Sequence, residues 1–186
     1  MKYKRQIDKI HARGYSRDEL NELRKKAQPL AAKGDDDARA LLREIDHAGP
    51  SDTYVVFMGF CPGADLGNRL DTEWRRKSIC TFVFYDSVQQ SERFAEIRVG
   101  DLVILKKRHQ FGKTMQLFGH GRVTGIDYDP EGHRFLKMNW SPEERVIEVP
   151  LMGCNSTVDV RTIEQVEGEM PDEFFTWLET ETPSRA

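Results

Sequence analysis

Apolar positions in the first fifty residues recur at helical spacing. Ser16 followed three residues later by Glu19 has the form of a capping box, and Leu20, Leu23, Ala27 and Leu30 then mark one helix face. Pro29 and Gly34 are expected to end that helix. Asp35, Asp36 and Asp37 offer cap and first-turn carboxylates to a second helix, whose apolar stripe is Ala38, Leu41, Leu42 and Ile45. The run Gly49-Pro50-Ser51 is expected to be a boundary.

After Thr53 the pattern changes to the two-residue period of strands. Strands are expected over 54–60, 79–85, 102–106, 115–126, 135–140, 146–149 and 157–163. Short strands interrupted by Gly100, Gly119, Gly121 and Gly125 fit a barrel better than a layered α/β sheet. The polar stretch 89–98 is expected to be a helix between strands, and Pro171 to open a last helix carrying Phe174, Phe175, Trp177 and Leu178. The expected organisation is a helical extension over 1–50 and a β-rich domain with a C-terminal helix over 51–186.

Composition narrows the class. The chain has 186 residues, 38% hydrophobic and 32% charged, a profile of soluble globular proteins, with room for one domain and an appended segment. No apolar run approaches the length needed to cross a bilayer, and the first twelve residues lack a signal peptide's apolar core, so no membrane association and a cytoplasmic location are expected. Cys61, Cys80 and Cys154 are widely spaced, which suggests neither a disulfide framework nor a zinc site. The net charge of −3 conceals an asymmetry. Basic side chains outnumber acidic ones up to Ile126, and acidic ones predominate from Asp127 onward, so one face can hold a polyanion although the whole is acidic.

Catalytic signatures are missing: the sequence has no Walker loop, no nucleophile elbow and no His-Glu-x-x-His, so no catalytic residues and no cofactor are expected. Asp127, Asp129, Glu131 and His133 would suit a divalent cation and a metal-dependent hydrolase, but the same run has the composition of a polar hairpin turn, and no metal site is assigned. Two basic clusters are more informative. Lys106, Lys107, Arg108 and Lys113 surround Phe111 between two strands, and Arg75, Arg76 and Lys77 follow Trp74. Such groups hold phosphates while an aromatic stacks on a base, although solvated loop tips have the same composition.

The order of motifs resembles an EVE-type domain. Its centre is Arg98-Val-Gly-Asp101-Leu-Val-Ile-Leu, then Met115-Gln-Leu-Phe-Gly119-His-Gly121-Arg-Val-Thr, then Phe135-Leu-Lys-Met-Asn-Trp140, with Asn155-Ser156-Thr157-Val158 later. Tyr54-Val-Val-Phe-Met-Gly-Phe60 followed by Asp71-Thr-Glu-Trp74 is similar to the first strand and long loop of EVE-like domains found beside McrB-type restriction ATPases. The likeness spans about residues 53 to 166. It implies a PUA-like half-open β-barrel, related to YTH and ASCH domains, in which an aromatic pocket receives a flipped-out, often modified, nucleobase. Where relatives carry Gly-Ile-Trp, this chain has Lys77-Ser-Ile-Cys-Thr-Phe-Val-Phe-Tyr85, which leaves Phe84, Tyr85 or Trp74 to replace the cage tryptophan.

The resulting expectation is a non-catalytic reader of DNA or RNA, modified bases included, with restriction or defence as its setting. Tyr54, Trp74, Phe84, Tyr85 and Trp140 would line the base pocket, and Arg75, Arg76, Lys77, Lys106, Lys107, Arg108 and Lys113 would bind phosphate. The alternative is a protein-interaction or dimerisation module that docks a partner through Leu20, Leu23, Leu30, Leu41, Leu42 and Ile45 of the N-terminal helices.

Overall fold

The computed structural model describes residues 2–48, 52–62, 66–82, 87–110, 112–142 and 145–180. The expected boundary at 49–51 lies outside the described residues. Helices α1 (Lys4–His11), α2 (Arg17–Ala32) and α3 (Asp36–His47) come first. The Ser16/Glu19 capping box forms in both directions, and Asp35 caps α3 through the Ala38 amide. Pro29 lies inside α2 rather than ending it. The α2 stripe folds back on its neighbours: Leu20, Leu41 and Ile45 are buried in a small core with Ile7, Ile10 and Ala27, against which Leu23 and Leu42 pack. Most of the apolar surface expected to meet a partner is therefore consumed within the chain, and Leu30 alone of that group is exposed.

Strands β1 (Tyr54–Gly59), β2 (Ile79–Thr81), β3 (Leu102–Arg108), β4 (Thr114–Tyr128), β5 (Arg134–Trp140), β6 (Ile147–Pro150) and β7 (Val158–Thr162) form one seven-stranded sheet. Its order is β2-β5-β4-β3-β1-β7, with β6 paired to the first part of β4. Among the described residues the two ends of this path, β2 and β7, do not pair, so the sheet is mixed and open. Strand β4 bends at two irregularities, where Phe118 and Thr124 are left out of register, and its two parts thereby serve β6 and β5.

Both faces of the parallel pair β1 and β3 are buried. Val55 and Phe57 join Leu102 and Ile104 in a core covered by α6 (Ile163–Glu169) and α7 (Asp172–Thr180), through Val166, Phe174 and Trp177. Val56 and Met58 join Val103 and Leu105 in a second core, covered by Trp74 of α4 (Asp71–Lys77) and Phe94 of α5 (Val88–Glu96). Helix α6 begins within the stretch expected to be strand, because Thr162 and Gln165 form a capping box that turns the chain after β7.

The helical segment is tied to the sheet by buried arginines. The final carbonyls of α5 have no helical partner of their own. Glu96 accepts from Arg17 at 2.6 Å and Ala95 from Arg98 at 2.5 Å, while Phe94 and Ile97 accept from Arg134. Arg98 also donates to Asn21 of α2 at 2.6 Å. Two buried carboxylates balance the cluster: Asp101 pairs with Arg17, and Asp46 pairs with Arg24 while accepting from the Tyr128 hydroxyl at 2.8 Å. Burial pulls Arg98 down to about 9, with Arg24, Arg134 and Arg17 adding to the effect. The main cause is the loss of water around a buried guanidinium, and the neighbouring cations add to it.

Lys106 is a core residue, not a loop-tip cation. It is 4% exposed, and its ammonium donates to Asp159 and to the Ser156 carbonyl, both at 2.7 Å, as well as to the Cys154 carbonyl. Truncating one partner of a buried pair strands the other charge. Lys106→Ala is expected to cost about 3 kcal/mol, read as a lower urea midpoint at unchanged slope; a loss below about 1 kcal/mol would show that the pair is not held as described.

Candidate functional site

Strand polarity divides the sheet into two ends. Strands β1 and β3 are parallel, and β4 runs against both β3 and β5, so β1, β3 and β5 all point the same way. Tyr54, Asp101 and Arg134, at or beside their N-terminal ends, meet the helical segment and α5. Phe60 and Trp140, beside or at the C-terminal ends of β1 and β5, lie with α4, whereas the β3–β4 hairpin lies further along β4: Gly121 pairs with both Trp140 and Val103, and Arg108 pairs with Met115, beside β6.

The C-terminal end carries a linked series of arginines and aromatic rings. Phe60 and Phe118 meet edge to face with centroids 4.9 Å apart. The Arg69 guanidinium lies 5.3 Å from the Phe60 ring and 5.4 Å from the Phe118 ring, and is held by Asp71 through two hydrogen bonds of 2.9 and 2.5 Å. Asp71 itself is buried. Arg75 donates to the Ser141 carbonyl at 2.8 Å and lies 5.3 Å over the Trp140 ring. Trp140 is half-buried, with its indole N–H on the Ile79 carbonyl at 3.2 Å. Gly121, its partner across the ladder, leaves the space this ring fills: a Cβ there would come within 2.7 Å of Trp140 Cε3 and 2.8 Å of the Asn139 carbonyl.

The expected site residues fall into three groups. Trp140 lies with Arg75, Arg76 and Lys77 of α4, while Lys107, Arg108 and Lys113 lie on the β3–β4 hairpin, further along β4. Arg108 and Lys113 are exposed and Lys107 is half-buried. Arg76 and Lys77 are exposed and both bind Glu73, and the Arg76 hydrogen bond, followed by that of Lys77, pulls the Glu73 carboxyl down to about 2. A second group lies elsewhere. Tyr54 is at the opposite end of β1, under the Arg17 guanidinium at 3.7 Å; Trp74, expected in a polar loop, is a buried residue of α4 whose indole N–H donates to Thr81; Lys106 is in the core. Trp74 turns inward because Asp71 to Lys77 form a helix whose other face carries Glu73, Arg76 and Lys77. The third group, Phe84 and Tyr85, lies outside the described residues, as does Phe111.

Sequence reasoning missed Phe60, Arg69, Phe118 and Gly121. The signal was there in part: Arg69 and Asp71 are two residues apart at the start of a helix, and Phe118 precedes a glycine in a strand that must bulge.

The β4–β5 turn holds Asp129, Glu131 and His133, with ligand atoms within 4.8 Å of one another. Hydrogen bonds from the His133 amide to Asp129 and from the Asp129 amide to the His133 carbonyl close the turn, while Asp127 binds Lys137 at 2.9 Å. These contacts account for the run as a polar hairpin.

No family model matches the chain, and no curated protein matches it. Among solved structures, the chain is similar to the YTH domain of the Zygosaccharomyces rouxii MRB1 protein in complex with N6-methyladenosine RNA, with a TM-score of 0.42 and 10% identity over 74% of this chain and 89% of that one. It is also similar to the Mmi1 YTH domain, with a TM-score of 0.29 and 11% identity over 67% of this chain and 62% of that one. Among the described residues no helix is long and apolar enough to cross a membrane.

His120 adjoins the site through its carbonyl, which accepts from Ser141, while its ring meets Trp177 edge-on at 5.0 Å. Burial, then Arg122 and Arg75, pull the imidazole down to about 4. The unfolded chain thus binds the proton more readily between the ordinary histidine value and about 4, so stability is complete above pH 6.5 and falls as pH drops toward 4. His120→Gln is expected to flatten this part of the stability profile by about 2–3 kcal/mol, measured by urea unfolding at pH 7 and pH 4.5. An unchanged profile would place the titration elsewhere.

Proposed function

We propose that this chain is a non-catalytic nucleic-acid recognition module that binds along a surface running from Trp140 and α4 to the β3–β4 hairpin. One observation carries this reading: Trp140, a half-buried tryptophan, lies under Arg75 beside the exposed cations of α4, and the exposed cations of the β3–β4 hairpin stand further along the same strand, β4. Arg108 and Lys113, with Lys107, hold phosphates, and Arg76 and Lys77 extend the basic surface from α4. Trp140, seated by Gly121 and Arg75, supplies the stacking face for a base. Phosphate neutralisation gives affinity that falls with salt, and stacking on an indole contributes about 1–3 kcal/mol per base.

The EVE-type resemblance of residues 53–166 supports the finer form of this reading: a PUA-like half-open barrel that takes a flipped-out base, modified bases included, from DNA or RNA. The same resemblance supports a setting in restriction or defence. Docking of a protein partner by the N-terminal helices is less well supported, because Leu20, Leu41 and Ile45 are buried within the chain.

The test is fluorescence anisotropy with short single- and double-stranded DNA and RNA, unmodified and carrying N6-methyladenine or modified cytosine. Arg108→Glu/Lys113→Glu is expected to weaken binding by at least about tenfold at low salt and to reduce the salt slope by about two. Equal binding by the variant, or none by the wild type at low salt, would overturn the proposal.

A further inference from the structure

The N-terminal ends of β1 and β3 present a set of groups matched to a planar cation. The Asp101 carboxylate is fully buried, held by the Tyr54 amide at 2.9 Å and the Arg98 amide at 2.8 Å. Gly100, at φ +95°, makes the tight turn that delivers Asp101 to this position, and its own amide is anchored on the Val123 carbonyl at 2.8 Å. The Tyr54 ring, the Glu96 carbonyl at the end of α5 and the Asp52 carbonyl surround the same point. These groups are acceptors and a π face, and they come from three separate parts of the chain.

The Arg17 side chain of α2 fills this place. It is 1% exposed. Its guanidinium lies 3.7 Å over the Tyr54 ring and donates to Glu96 at 2.6 Å, to Asp52 at 3.5 Å and to Asp101. A guanidinium suits the position because it is flat enough to stack on the phenol while its edge serves diverging acceptors; an ammonium does one or the other. Burying it with Asp101 is costly unless both remain paired, so the seat and its occupant depend on each other. The Arg17 amide adds a bond of 2.9 Å to the Asp52 side chain, fixing the first turn of α2 to the residues that lead into β1.

We infer that the sheet carries a guanidinium-binding seat, built by Asp101, Tyr54 and the Glu96 carbonyl and filled in cis by Arg17, which latches the N-terminal helices onto the N-terminal ends of β1 and β3. Arg17 is thereby one replaceable tie of the helical cap, beside those of Asn21 to Arg98 and of Asp46 to Tyr128. The seat lies at the end of the sheet opposite the basic hairpin, so its test does not depend on nucleic-acid binding.

Chemical rescue tests the seat directly on the full chain. Arg17→Ala is expected to lower Tm by about 10 °C. Guanidinium chloride, kept well below denaturing concentration, should then raise the Tm of Arg17→Ala by about 3–5 °C at tenfold its dissociation constant. Sodium chloride at equal ionic strength should give no such gain, and neither the wild type nor Arg17→Ala/Asp101→Asn should respond to guanidinium. If Arg17→Ala does not accumulate folded, its refolding yield from urea with and without guanidinium is the readout. Recovery specific to guanidinium supports the seat. A Tm close to that of the wild type, or no response beyond that to sodium chloride, overturns it.

Discussion

The architecture depends on how the C-terminal end of α5 is satisfied. A helix end buried beneath other elements leaves carbonyls that must find donors, and here they find arginines. Arg17 arrives from α2, Arg98 from the turn before β3, and Arg134 from the start of β5, so one set of hydrogen bonds joins the helical segment, α5 and the sheet. The helix dipole and the carboxylates of Asp46 and Asp101 together offset the repulsion among these guanidinium groups. Remove any one member and the rest are left as buried charges with too few partners. This mutual dependence fixes where the N-terminal helices sit.

That placement determines what the rest of the molecule can do. With the N-terminal ends of β1 and β3 occupied, the proposed ligand surface runs from Trp140 and α4 to the β3–β4 hairpin, where exposed cations and a half-buried tryptophan lie. The two ends differ in chemistry although both use arginine. At the capped end the arginines are buried against carbonyls and carboxylates; away from it Arg108 is exposed on a hairpin and, elsewhere along β4, Arg75 lies over a tryptophan that retains some exposure. Burial separates a structural arginine from one available to a phosphate, and it also moves Lys106 from the second class to the first.

Much of the fold was legible because its signals are local. The capping box at Ser16, the aspartates before α3, the two-residue period of the strands and the Gly100-Asp101 turn are each set by a few neighbouring residues. What escaped depends on contacts distant in sequence. Pro29 is tolerated inside α2 although the local rule places a stop there. Trp74 looks like a loop aromatic among charges until a helix turns it toward Thr81 and the core. Lys106 reads as one of a basic run, and only the arrival of Asp159, some fifty residues later, shows that its alternation along β3 points it inward. The hairpin cations and Trp140 could be named as candidates from the sequence, but the aromatic and arginine series around Phe60, Arg69 and Phe118 arises from strands and a helix brought together by folding.

The account holds that the helical cap is structural and that nucleic acid meets Trp140, α4 and the β3–β4 hairpin. The most direct measurement is amide and indole chemical-shift mapping of the isotopically labelled protein during titration with a short oligonucleotide. The account predicts that shifts concentrate on the Trp140 indole, on Lys107 to Lys113 and on α4, with α1 to α3 unmoved. Shifts centred on the helical cap, or spread evenly over the surface, would contradict it.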